Sequence, residues 1–236
     1  PMGKKILALG RNGDYAHAGE EEAIDIVFKE MPGNPHHRLL DCGCGRGGTA
    51  QYVQRKGWGR VLGVDVDADS IDYAKKKYPD VEFMAADVMN LDKSLSMRFD
   101  IIYLFNSFYA FTDHSGALKR LRAVSRDSGE IAIFDYLVKT KNRSDLPFKD
   151  WNPLDLTVAQ SLFPDAGWRI AKTVDISGLY KKWYEQLVLR IVENSHSIIS
   201  LAGKDWYDFA RSFYGKIADA IEENLLGGAI VYAEAN

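Results

Sequence analysis

The stretch Leu39-Leu40-Asp41-Cys42-Gly43-Cys44-Gly45-Arg46-Gly47-Gly48 passes from apolar to glycine-rich sequence at Asp41. Arg38 to Asp41 suits a short buried parallel strand, and Thr49 to Lys56 carries a helical pattern. Gly43, Gly45 and Gly48 therefore satisfy G-x-G-x-x-G between a strand and a helix, the dinucleotide fingerprint. Side chains at such positions would keep a ligand away from the backbone. On either side the alternation continues. Val61–Val64 ends at Asp65, Val81–Met84 ends near Asp87, and Phe99–Phe105 and Glu130–Asp135 complete five strand patterns. Helical patterns separate them over Glu20–Met31, from an Asp69 cap to Tyr78, and from an Asp113 cap through Val124, with Pro32-Gly33-Asn34-Pro35 stopping the first.

This alternation predicts an α/β fold with a doubly wound, Rossmann-like, mostly parallel sheet. Beyond Asp135 it loosens into a polar loop over 139–153 and a helix over Leu154–Phe163. Trp168–Ile176 and Ala229–Ala235 read as strands six and seven. Between them lie two amphipathic helices, one with a stripe of Leu179, Trp183, Leu187, Ile191 and Val192, the other with Trp206, Phe209, Phe213, Ile217, Ile221 and Leu225. The expected organisation is an N-terminal tail over 1–12 and one domain over 13–236, with a helical cap over 178–227 inserted between the last two strands. Pro1 before Met2 reads as a cloning remnant.

The chain's 236 residues suit one domain with an elaboration, and 46% hydrophobic with 27% charged residues is globular composition. Thirty basic against 33 acidic side chains give a net charge of −3, which argues against nucleic acid as partner. No stretch is apolar for long enough to span a bilayer, so no membrane partner is expected. The run Ile6–Leu9 behind Lys4 and Lys5 is too short for a secretory signal. The two cysteines, Cys42 and Cys44, fit neither a disulfide framework nor a zinc site. A cytoplasmic protein with no metal is expected.

By itself the fingerprint reads as an NAD-dependent oxidoreductase. Asp41 weighs against that, because a carboxylate facing the glycine loop repels a pyrophosphate and suits a cationic ligand. Asp65 could accept hydrogen bonds from both hydroxyls of a ribose, and Asp87-Val88 adds a carboxylate and a backbone N–H for an adenine edge. Leu40-Asp-Cys-Gly-Cys-Gly-Arg-Gly47 together with Asp65 and Asp87 resembles the class I S-adenosylmethionine-dependent methyltransferases. Within them it is most similar to the small-molecule branch of sarcosine/dimethylglycine-type and phosphoethanolamine-type N-methyltransferases. Tyr15-Ala-His17-Ala-Gly19 resembles the segment ahead of the first helix in that branch, and the likeness covers 13 to 136.

The resemblance implies S-adenosyl-L-methionine as cofactor and a small molecule as methyl acceptor. It implies that Asp41, Gly43 and Gly45 hold the methionine moiety and that Asp65 takes the ribose, with Val66 on the adenine. Asp87 and Val88 would read the adenine edge, and Asn106 would lie under the methionine portion. Tyr15, His17 and Tyr109 are candidates to orient or deprotonate the acceptor, and Tyr180, Trp183 and Tyr184 to line its pocket. Asp113 reads as a helix cap, His36, His37 and His114 as surface, and Asp135 as either a site residue or a loop anchor. The expected reaction is N-methylation of a small amine, with O- or C-methylation as the alternative and a non-catalytic cofactor-binding protein as the reading from another class.

Overall fold

The computed structural model describes residues 2–31 and 33–236. Pro1, with its reading as a remnant, and Pro32, the first residue of the helix stop, lie outside the described residues. Along the chain come α1 (Met2–Gly10), α2 (Glu20–Glu30), β1 (Arg38–Cys42), α3 (Gly48–Arg55), β2 (Arg60–Asp65), α4 (Ala68–Lys77) and β3 (Glu82–Ala85). They are followed by α5 (Leu91–Ser94), β4 (Phe99–Phe105), α6 (His114–Val124), β5 (Ser125–Val138), α7 (Leu156–Asp165) and β6 (Trp168–Asp175). The chain closes with α8 (Ser177–Glu193), α9 (Ser195–Ala202), α10 (Lys204–Glu222) and β7 (Leu226–Ala235).

The seven strands form one sheet in the order β3-β2-β1-β4-β5-β7-β6. The first five are parallel, β7 runs antiparallel to β5, and β6 runs antiparallel to β7. Both faces of the central strands are buried, so their sequences are apolar without alternation. Leu39, Tyr103 and Phe134 enter the core on one face; Leu40, Ile102 and Ile133 enter it on the other. The first core takes side chains from α1, α2, α3, α8 and α10, the second from α6 and α7. On α2 the buried set is Ala23, Ile24, Val27 and Phe28, the single face that the helical spacing marks. β7 can bring α8 close because residue 228 is glycine: a Cβ there would lie 2.2 Å from the ring of Tyr180.

Several boundaries differ from the sequence reading. The expected tail over 1–12 is largely the helix α1, with Ile6 and Gly10 buried against the body of the protein. The N-cap position of α4 is Asp67, and Asp69 lies inside its first turn. β5 runs on to Val138, so Asp135 and Tyr136 lie within it. The insertion between β6 and β7 holds three helices where two were expected, since Asn194 and Gly203 divide α9 from its neighbours.

Candidate active site

The parallel strands end along one edge, and the order of the sheet reverses between β1 and β4, the place where ligands settle in such folds. There the glycine loop is held by two hydrogen bonds to Val64 O, from Gly43 N–H at 2.8 Å and Cys44 N–H at 2.9 Å. Gly43 has φ +87°, and a Cβ on it would lie 2.4 Å from Cβ of Ser107. No side chain is tolerated there without displacing the loop after β4. Asp65, at the tip of β2, ties the loop to the next crossover: Oδ2 accepts from Gly45 N–H at 2.8 Å and Oδ1 from Asp67 N–H at 2.9 Å. Asp87 accepts from Met89 N–H at 3.0 Å. Asn106, in left-handed backbone with φ +46°, accepts from Ala18 N–H at 3.1 Å and donates to the Tyr180 hydroxyl at 2.9 Å.

One cavity of about 580 Å³ runs along this edge, a size typical of small-molecule sites. At the β2–β3 end it is walled by Asp65, Val66, Asp87 and Val88, and in the middle by Gly43, Gly45 and Asn106. Beyond β4 it opens into an aromatic chamber of Tyr109, Tyr136, Tyr184, Phe213 and Tyr214. The hydroxyls of Tyr136 and Tyr184 are hydrogen-bonded to each other. Rings of Tyr109 and Tyr136 meet edge to face at 5.0 Å, with Trp151 packed behind both. Burial, as the largest cause, pushes the phenols of Tyr109, Tyr136, Tyr184 and Tyr214 above their ordinary value, so all four stay protonated at neutral pH.

Seven of the eight residues expected to bind the cofactor line this cavity: Gly43, Gly45, Asp65, Val66, Asp87, Val88 and Asn106. Asp41 does not. It is buried beneath the loop, cross-strand from Tyr103, and its Oδ2 and the Tyr103 hydroxyl are both buried without a hydrogen-bond partner among the described residues. Burial, and next the charge of Asp65, lifts its carboxyl well above the carboxylate range.

Of the catalytic candidates only Tyr109 lines the cavity. His17 is 1% exposed; its Nδ1 donates to Ala18 O at 3.0 Å and its Nε2 accepts from Thr49 Oγ1 at 2.9 Å. Desolvation lowers its pKa to about 3, so the ring is a neutral tie between the lead-in segment and α3. Tyr15 points outward and donates to Glu21 Oε1 at 2.9 Å. Tyr184 lines the chamber as expected, whereas Tyr180 buttresses Asn106, and Trp183 donates its Nε1–H to Glu22 Oε2 at 2.8 Å and packs in the core. Asp113 caps α6 as read. His114 is half-buried rather than free on the surface: it stacks on Phe108 and hydrogen-bonds Phe108 O. Asp135 is a loop anchor, accepting N–H groups of Phe108, Tyr109 and Tyr136.

The cavity wall that sequence reasoning missed comes from α1. Lys4, Leu7 and Arg11 line it, at spacings that share one helical face. Lys4 Nζ reaches Asp67 Oδ2 at 3.1 Å and Asp65 Oδ2 at 3.6 Å. No cluster of metal-ligating side chains occurs among the described residues, and none of their helices is long and apolar enough to cross a membrane.

Comparison with known proteins agrees with this geometry. Residues 39–129 match a family model described as a methyltransferase domain. An O-methyltransferase of Pyrenophora dematioidea is 25% identical over 67% of this chain and 64% of its own. Phosphoethanolamine N-methyltransferase 1 of Arabidopsis thaliana is 23% identical over 82% of this chain and 41% of its own. The chain spans about half the length of the curated relatives it matches. In fold it is similar to phosphoethanolamine N-methyltransferase 2 of Haemonchus contortus, solved with phosphomonomethylethanolamine and S-adenosylhomocysteine. The TM-score is 0.86 at 16% identity, over 98% of this chain and 56% of that one. A cyclopropane synthase of Mycobacterium tuberculosis gives 0.82 at 12% identity, over 99% and 98%.

The residues present fit S-adenosylmethionine. Val66 is 76% exposed inside a cavity wall, an apolar surface that a flat adenine would cover. Asp65 and Asp87 stand beside it as acceptors for ribose hydroxyls and an exocyclic amine. With its glycine loop at the reversal of the sheet, these two carboxylates on the following strand ends, and the methyltransferase-domain match over 39–129, the chain is similar to the class I S-adenosylmethionine-dependent methyltransferases.

Proposed function

We propose that this protein methylates a small molecule and that the acceptor is an amine. The observation that carries the reading is continuity: one cavity joins the Asp65–Asp87 end to a chamber of tyrosines. When bound, the cofactor supplies a methyl group on a sulfonium already activated for in-line displacement. The chain's own residues are left to bind, align and exclude water. Asp65 and Asp87 would hold the nucleoside end, and the backbone of Gly43 and Gly45 would lie along the methionine portion. α8 and α10 bring Tyr184, Phe213 and Tyr214 over the chamber, which separates a bound acceptor from solvent.

An amine brings its own lone pair, provided it arrives unprotonated. That requirement suits a chamber in which no histidine lines the wall among the described residues and the phenols stay protonated. Ring faces of Tyr109, Tyr136, Tyr184 and Tyr214 would attract the positive charge that develops on the nitrogen as the methyl is transferred, by about 0.5–2 kcal/mol each. Hydroxyls of the same residues can accept its N–H bonds. The same rings would hold a flat phenol, and the Pyrenophora relative carries the name O-methyltransferase, so O-methylation is the second reading. Incubating the protein with S-adenosylmethionine and metabolite-sized amines, phenols and carboxylates tests both. Turnover on amines supports the proposal, turnover on phenols alone selects the second reading, and methylation of a macromolecule alone defeats both.

A further inference from the structure

α10 carries an apolar stripe that the packing of the protein does not use up. Ile217 and Ile221, toward its C-terminal end, are buried in the core, and Phe213 is half-buried; Trp206 and Phe209 are 40% and 55% exposed. Single exposed apolar side chains are ordinary, but these two are joined to the cavity by rings in contact. Phe209 stacks on Phe213 at a centroid distance of 5.6 Å, and Trp206 meets Phe209 edge to face at 5.7 Å. Phe213 lines the cavity and packs at 4.6 Å on Phe148, which leads through Trp151 at 4.5 Å to the chamber's Tyr136 at 4.7 Å. The contacts run without a break from the chamber to solvent. Polarity changes along the way: the chamber's tyrosines carry hydroxyls, whereas Phe148, Phe213 and Phe209 offer carbon alone. A ligand matched to both has a polar head in the chamber and an apolar part at the outer end. The two exposed rings offer on the order of 200 Å², well below the roughly 800 Å² per partner that a stable protein interface buries. That is the scale of a ligand's tail, not of a subunit.

We propose that Phe213, Phe209 and Trp206 form a second substrate subsite, which takes an aliphatic or aryl tail of the methyl acceptor. This rests on the methyl-transfer reading above and narrows it: the acceptor is an amphiphilic amine. Its nitrogen lies among the tyrosines and its tail along α10 toward solvent. The ledge from Phe213 to Trp206 extends about 10 Å along the helix and is open on its outer side, so it selects for apolar character and not for one tail shape.

Calorimetry on the protein loaded with S-adenosylhomocysteine tests this without turnover. Hexylamine and dodecylamine are titrated in, each below the concentration at which it forms micelles. Dodecylamine should bind at one site per chain and about thirtyfold or more tightly, since each methylene taken out of water contributes up to about fourfold. Trp206→Ser/Phe209→Ser should cut that ratio by about tenfold. Neither residue lines the cavity, so the affinities for hexylamine and S-adenosylhomocysteine should stay within about twofold. Val158→Ser, which removes an apolar side chain 52% exposed on α7, should change nothing. Thermal unfolding confirms that the double variant folds; if it does not, Phe209→Ser alone, with a smaller reduction, decides. A ratio near one in the wild type overturns the proposal, as does a ratio that survives in the double variant or a loss of hexylamine binding along with it. An unchanged ratio assigns the rings to a second copy of the chain if sedimentation shows a dimer that the double variant loses. It assigns them to a lipid surface if phosphatidylcholine vesicles bind the wild type alone. If S-adenosylhomocysteine binds and neither amine does, the subsite falls and methyl transfer stands. If S-adenosylhomocysteine itself fails to bind, the methyl-transfer reading falls, and the same ratio on the free protein still judges the rings.

Discussion

Asp65 and Asp41 are both carboxylates within reach of the glycine loop, yet they have opposite surroundings. Asp65 lies in the cavity wall with both oxygens already engaged by backbone N–H groups, so its orientation is set before any ligand arrives. Asp65→Ala should cost on the order of 2–4 kcal/mol of cofactor binding, because two charge-assisted hydrogen bonds go with it. Calorimetry with S-adenosylmethionine measures this, and a change below about threefold, roughly 0.7 kcal/mol, would remove Asp65 from the ribose site. Asp41 faces Tyr103 in the protein interior, and its carboxyl is lifted by burial and by repulsion from Asp65. Asparagine has nearly the shape of the acid and cannot ionise, so it takes that repulsion out of the site without opening a void. Asp41→Asn should therefore leave cofactor affinity within about threefold and thermal stability equal or higher. A large loss of affinity with an unchanged melting temperature would return Asp41 to the role that the motif implied. His17 shows why residue type misleads: a histidine beside a glycine loop suggests proton transfer, whereas burial at 1% exposure and two hydrogen bonds make it a neutral strut.

The five strand–helix repeats were legible because β1, β2, β4 and β5 are largely buried runs of apolar residues, and the first three strands lead into glycine or aspartate. Leu40 to Gly48, Asp65 and Asp87 follow from that alternation directly, and the structure places Asp65 and Asp87 in one wall. α1 was not legible. Met2, Ile6 and Leu9 pack against the core, but the helix is only nine residues long, and Lys4, Leu7 and, just beyond it, Arg11 turn to a cavity in place of solvent, so the stripe is short and its polar face is not a solvent face. The chamber residues on α8 were half legible for a related reason. Tyr180, Trp183 and Tyr184 are all buried, and which of them meets the cavity depends on how the helix is rolled against β7, where Gly228 admits Tyr180. Since α1 supplies part of the wall, its docking should matter for binding. Ile6→Ala removes its one large buried side chain, at a cost of about 2–4 kcal/mol. The loss should appear as faster hydrogen exchange over residues 2–10 and weaker cofactor binding, with the exchange of β1 and β4 unchanged. Uniform acceleration across the sheet would mean that α1 belongs to the global folding unit and not to the site.

Two buried titratable groups, Asp135 in β5 and His17 ahead of α2, are shifted in opposed senses, and this shapes how the protein should respond to acid. Asp135, anchoring the loop after β4, is raised by desolvation to about 7, so the folded state keeps a proton that the unfolded chain has lost. Its contribution to stability is present at low pH and declines as pH rises toward 7. His17 has the reverse sign. The unfolded chain takes up a proton below about 6.5 while the folded state does not do so until about 3, so stability falls as pH falls through that window. Each group changes stability by about 1.4 kcal/mol per pH unit, and between about pH 4 and 6.5 the two oppose each other. The wild type's own curve hides both, but variants separate them. His17→Gln should be less stable than wild type near pH 7.5, where the bond to Thr49 is lost without any gain from titration. Its deficit should then shrink by about 1.4 kcal/mol for each unit below 6.5, because the variant has no ring to protonate on unfolding. Asp135→Asn should show the opposite, a deficit that widens toward acid. Urea unfolding at intervals from pH 7.5 to about 4.5 gives both differences, and a deficit for His17→Gln that stays constant across the series would show that His17 titrates in the folded protein as it does in the unfolded chain.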